Sequence, residues 1–88
     1  MTVYVFMIET DCGVEDCYVF STREKAIEML NEKYEDYMAQ LMEAQAEHED
    51  LQYEDSWVED DWVEIEYIYE ENSVWTTFVL SVGEHEVL

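Results

Sequence analysis

Basic residues are nearly missing from this 88-residue chain: Arg23, Lys25 and Lys33 stand against 24 Asp and Glu, for a formal net charge of −21 at pH 7. No Lys or Arg occurs anywhere from Tyr34 to Leu88. Such a body repels other polyanions, which excludes free DNA as a direct ligand. Proline is absent and glycine occurs only at Gly13 and Gly83, so nothing marks a linker or a domain boundary. No apolar run approaches the ~20 residues that span a bilayer, and an acidic surface is repelled by anionic headgroups, so no membrane partner is expected. Cysteine is limited to Cys12 and Cys17 around the Gly13 turn. In a reducing cytosol they are expected as free thiols in or beside a hairpin, with their pairing left open.

What is there is enough for a core. The composition is 49% apolar and 15% aromatic, well above that of a disordered acidic tail. The length suits a single acidic domain over residues 1–88, able to fold alone but too small to enclose a generous active-site cavity, which argues against most enzymes. The amino-terminal stretch Thr2-Val-Tyr-Val-Phe-Met-Ile8 has no basic leader and runs directly into Glu9, Asp11, Glu15 and Asp16. It reads as a strand rather than a signal peptide, and a soluble, cytoplasmic protein is expected.

Residues 3–9 and 16–20 carry β-branched and aromatic side chains around a Gly-containing loop, the pattern of a hairpin. Ser21-Thr-Arg-Glu24 reads as a capping box that opens a helix. Ile27, Leu30, Tyr34, Tyr37, Met38 and Leu41 then recur at intervals of three and four as one apolar stripe, and the helix is expected to continue, more polar, toward Asp50. From Trp62 the period becomes two, with Val63, Ile65, Tyr67 and Tyr69 on one face and Glu64, Glu66 and Glu70 on the other. Glu71-Asn72-Ser73 supplies a turn, and Val74 to Val82 forms a last strand with Val74, Phe78, Leu80 and Val82 on one face. The predicted fold is α+β in ββαββ order, one long amphipathic helix on a mainly antiparallel four-stranded sheet. The strand order, and whether residues 49–61 continue the helix or form a loop, stay open.

The acids carry the functional signal. At 100° per residue, Glu28, Glu32, Glu35, Asp36, Glu43, Glu47 and Asp50 gather opposite the apolar stripe. Over roughly 33 Å this rail gives one charge per ~5 Å, against about 3.4 Å along one DNA strand. A second acidic series follows, with Glu54, Asp55, Glu59, Asp60 and Asp61 leading into Glu64 and Glu66. Rows of carboxylate at that density suit a protein groove lined with Lys and Arg, which does not distinguish carboxylate from phosphate oxygens by charge alone. Every amphipathic helix has a polar face, but ordinary ones mix Lys with Glu. Here Glu28 with Glu32, Glu32 with Asp36 and Glu43 with Glu47 are like-charged neighbours, each costing a few tenths of a kcal/mol. Soluble surfaces need net charges of only about 2 to 8, so the excess has a use beyond solubility. Trp57 and Trp62 among the acids are candidate aromatic anchors for a partner, while Tyr37 reads as core.

Catalytic constellations are lacking. His48 and His85 lie far apart in sequence, and no Ser- or Cys-centred nucleophile motif is present. A zinc site from Cys12 and Cys17 with a His lacks a second ligand pair at fixed spacing, and Glu54 to Asp61 has neither the Gly nor the spacing of a calcium loop. No enzyme activity, cofactor or metal is therefore expected.

In size, charge and α+β build the chain resembles the small acidic DNA-mimic inhibitors of phages and mobile elements, among them anti-CRISPR, anti-restriction and uracil-glycosylase inhibitor proteins. The resemblance is to the class as a whole and carries over no individual residue. It implies a non-enzymatic inhibitor in the cytoplasm of a bacterial host, seated in the basic DNA-binding site of a defence nuclease or CRISPR surveillance complex. A second reading is an antitoxin-like neutraliser of a basic protein that binds no DNA. A third is an acidic structural or assembly protein. The target's identity and the oligomeric state, monomer or dimer, stay open.

Overall fold

The apolar amino-terminal run becomes strand β1 (Thr2–Thr10), which turns through Asp11 and Cys12 into β2 (Gly13–Phe20). Gly13 holds φ at 115°, a region that L side chains rarely adopt, so the turn requires glycine at that position. The strands pair antiparallel from Tyr4↔Phe20 to Ile8↔Asp16, and then Glu9 pairs with Val14, leaving Glu15 as an extra, bulged residue. The computed structural model describes residues 1–69 and 75–87; Glu70, the Glu71-Asn72-Ser73 turn and Val74 lie outside them.

Helix α1 spans Arg23–Glu47. Its N-cap is Thr22, one residue beyond the expected Ser21: the Thr22 hydroxyl accepts from the Lys25 amide at 3.3 Å while its backbone stays extended. The helix stops at Glu47, short of Asp50, with His48 in extended conformation. The physical reason lies in the charges and the core. Its last turn has no basic residue to complement the negative end of the helix dipole, and Glu43, Glu47, Glu49 and Asp50 crowd that end. Leu51, 1% exposed, is drawn into the core, and Gln45 Nε2 donates to its carbonyl at 3.1 Å.

That pull produces the largest departure from expectation. Residues 51–58 form a strand, β3 (Leu51–Val58), followed by β4 (Trp62–Tyr69) and β5 (Thr76–Glu86). The fold is thus one helix on a five-stranded antiparallel sheet in β-β-α-β-β-β order, which corrects the four-stranded ββαββ expectation. The missed strand is interrupted by Glu54-Asp55-Ser56, residues of low strand propensity between Tyr53 and Trp57, and pairing with β4 overrides them.

The sheet order is β2-β1-β5-β4-β3. The last strand in sequence fills the centre, pairing β1 from Thr2↔Glu86 to Thr10↔Phe78 and β4 from Trp62↔Ser81 to Tyr67↔Thr76. The helix connects the two edge strands, β2 and β3. The core lies between the helix and one sheet face: Phe6, Ile8, Val63, Ile65, Phe78, Leu80 and Leu51 meet Leu30 and Leu41, with Tyr34, Tyr37 and Met38 half-buried at its margin. Tyr37 stacks at a tilt on Phe78, ring centres 4.9 Å apart.

The cap assignment makes a direct prediction. Thr22→Ala should lower stability by about 1 kcal/mol in urea unfolding, whereas Ser21→Ala should leave it unchanged. Equal losses from both changes would contradict the Thr22 cap.

Candidate functional site

Because the helix covers only one sheet face, the acids divide between opposite sides of the molecule. Glu28, Glu32, Glu35, Asp36, Glu43 and Glu47 are all exposed on α1, away from Ala26, Leu30 and Leu41. They form a rail of six carboxylates over about 29 Å, one per ~5 Å. Asp50 is half-buried in the turn that leads into β3 and is not on the helix.

The second group sits on the other side. Cross-strand partners share a face, so the register places Glu54 opposite Glu66 and Trp57 opposite Glu64 on the uncovered face of the sheet. Glu54 and Glu66 are a directly opposed like-charged pair, an arrangement that costs stability in a sheet. Trp57 reaches this face through a bulge: Asp55 pairs with Ile65 on the helix side, the register slips, and Trp57 then pairs with Glu64. Without the extra residue, Trp57 would fall on the parity of Leu51 and Tyr53, facing the helix. Trp62 registers with Ser81 on the same open face, and its indole N–H donates to the Glu64 carboxylate at 2.9 Å. Trp57 is 56% and Trp62 39% exposed, and with Glu59, Asp61, Glu64 and Val82 they line an open groove of about 380 Å³.

Besides Glu64, three of the acids singled out in the sequence have side-chain partners within the chain. Asp55 accepts from the Tyr34 hydroxyl at 2.7 Å, tying the helix to the sheet edge. Arg23 lies 3.1 Å from an Asp60 carboxylate oxygen and 3.7 Å from one of Asp61, the ion pairs found among the described residues. Both are exposed pairs of modest worth. Glu59 is exposed beside them in the β3–β4 turn, its amide bound to the Trp62 carbonyl.

The tyrosines sense the acids. Burial first, then the Asp55 carboxylate, pushes the Tyr34 phenol up to about 12. Burial likewise raises Tyr37, helped by the charges of Glu15 and Asp16, and the phenol of the half-buried Tyr18 is raised mainly by its hydrogen bond to Asp16.

A cleft of about 350 Å³ opens between the second half of α1 and the sheet, lined by Tyr37, Leu41, Tyr67, Tyr69 and Phe78 with Glu15 at its edge. Among the described residues that line it, no nucleophile is hydrogen-bonded to a base. Among the described residues no group of three His, Cys, Asp or Glu converges as a metal set. Cys12 and Cys17 are exposed free thiols.

The open face also presents side chains that sequence periodicity passed over. Val5 pairs with Val19, Met7 with Cys17, and Glu9 with Val79, all on the side away from the helix. The signal was present in Thr2-Val-Tyr-Val-Phe-Met-Ile8 and Phe78-Val-Leu-Ser-Val82. The first is a nearly continuous apolar run and the second is broken only by Ser81, unlike the strict alternation of a half-buried strand.

The Tyr34–Asp55 bond sets an alkaline signature. The unfolded phenol ionises near 10 and the folded one near 12, so this group contributes stability below about pH 10 that is lost as pH rises through about 12. Ultraviolet titration should show a last phenolate step near pH 12 that disappears in Tyr34→Phe; an unchanged profile in that variant would contradict the assignment.

Compared with protein-family models, with curated proteins and with solved structures, the chain matches none.

Proposed function

We propose that the protein is a non-enzymatic inhibitor that occupies the basic DNA-binding site of a bacterial defence nuclease or CRISPR surveillance complex, its carboxylates standing where phosphates would. The observation that carries this reading is the exposed rail from Glu28 to Glu47. From Glu28 to Glu47 the charges on this face are all acidic where an ordinary helix would alternate signs, and they average one per ~5 Å against about 3.4 Å along a DNA strand, with a gap at Ala39. Lys and Arg of such a site neutralise a carboxylate row as they do phosphates, releasing to bulk the cations the row had gathered.

The sheet supports the same reading from its other side. Glu54, Glu64 and Glu66 present a shorter acidic row there, which adds to the negative potential that draws the molecule toward a basic site. The molecule measures 48 × 21 × 18 Å, an elongated body with the rail along its 25-residue helix. Helix and sheet fix the carboxylates in place before binding, which spares the complex part of the ordering cost that a disordered acidic tail would meet.

Affinity capture from bacterial lysates that carry CRISPR and restriction systems, followed by elution with short duplex DNA, tests the proposal. The expected result is release of a nuclease or surveillance complex by DNA. Release only by high salt, of a basic protein that binds no DNA, would overturn it in favour of a neutraliser. With the captured target, Glu28→Lys/Glu32→Lys/Glu43→Lys should slow association about 10-fold or more, because like charges then face the basic site. An unaltered rate would remove the rail from the mechanism.

A further inference from the structure

The two central strands carry apolar side chains on both faces, yet α1 covers only one. On the uncovered face Val5, Met7 and Val79 are half-buried and Val19, at the edge, is 64% exposed. This apolar strip continues across Ser81 to Trp62 and Trp57. Carboxylates interleave with it at one end, where Val79 sits between Glu9 and Glu64 and Glu66 lies beside Thr77, while Val19, Val5, Met7 and Trp62 form its less charged part. Contiguous exposed apolar surface rimmed by charge marks an interaction site, and Trp and Met are enriched at the centres of such sites.

We infer that this open sheet face is a second docking surface, separate from the helix rail, for a protein segment that presents apolar side chains flanked by Arg or Lys. Charge complementarity selects that occupant. Valine and methionine accept aliphatic side chains, while an arginine reaching the groove between Trp57 and Trp62 meets indole faces together with the Glu59, Asp61 and Glu64 carboxylates. A second copy of the chain fits poorly. Face-to-face association would oppose Glu64 and Glu66 to acids of an identical surface, in a pair of chains each carrying −21. An anionic lipid surface is repelled for the same reason.

The surface differs from the rail in what it contributes. A row of carboxylates loses its hold as salt rises, whereas apolar burial does not. The inference stands whether or not the rail mimics DNA, and the two are tested apart.

The probe is a synthetic dodecapeptide of alternating Arg and Leu, titrated into the isotopically labelled protein and followed by NMR, with an Arg–Ser peptide of equal charge as control. The expected result is shifts at the Trp57 and Trp62 indoles and at Val5, Met7, Val19 and Val79. Binding of Arg–Leu should be about 10-fold tighter than Arg–Ser and persist at high salt. Val19→Glu and Trp57→Ala, both at exposed positions that leave the core intact, should each weaken it several-fold, with folding checked by thermal unfolding. The rail variant Glu28→Lys/Glu32→Lys/Glu43→Lys should keep the same footprint on the sheet. Shifts confined to α1, or equal affinity for the two peptides, would overturn the inference. So would sheet-face shifts that follow protein concentration without peptide, which would assign the face to a second copy.

Discussion

A single helix laid on one face of the sheet supplies the core that holds a chain of charge −21 together. Among the described residues ten hydrophobic side chains are buried, among them Phe6, Leu30, Ile65 and Leu80, and those of the sheet point to the helix side. Everything else follows from this one-sided cover. The acids must sit outside it, so they divide between the helix's outer surface and the open face of β3 and β4. The apolar residues that the helix does not reach, Val5, Met7, Val19 and Val79, are left facing outward.

The protein accepts repulsion where it could have avoided it. Glu54 against Glu66, Glu28 against Glu32 and Glu43 against Glu47 are each a small cost, and ordinary domains of this length have only roughly 4 to 13 kcal/mol to lose. Arg23, paired with Asp60 and Asp61, offsets little of it. Under the proposed reading, these costs are the consequence of keeping a surface complementary to a basic site. The Tyr34–Asp55 bond shows a different use for an acid, anchoring the long helix to the edge strand.

The hairpin of β1 and β2, the stripe from Leu30 to Leu41 and the alternation from Val63 to Tyr69 were legible because local pattern and tertiary placement agree there. Strand β3 was not legible. Its Glu54-Asp55-Ser56 segment speaks against a strand, and the bulge that turns Trp57 outward leaves no mark in the alternation. The helix end was misjudged by three residues because the acidic run continues past Glu47 without a break, while the deciding event, Leu51 entering the core, is a long-range contact. The acidic rail could be read from a helical wheel. Its separation from Glu64 and Glu66 follows from the alternation once the helix lies on the Val63 face, whereas Glu54 opposite Glu66 depends on the strand β3 that the sequence did not reveal.

The central claim is competition for a DNA site, and the most direct measurement is the affinity of the captured target for this protein at increasing concentrations of short duplex DNA. The account predicts an apparent Kd that rises in proportion to the DNA concentration, because carboxylates and phosphates seek the same basic groups. An apparent Kd that stays constant while the target is saturated with DNA would contradict it.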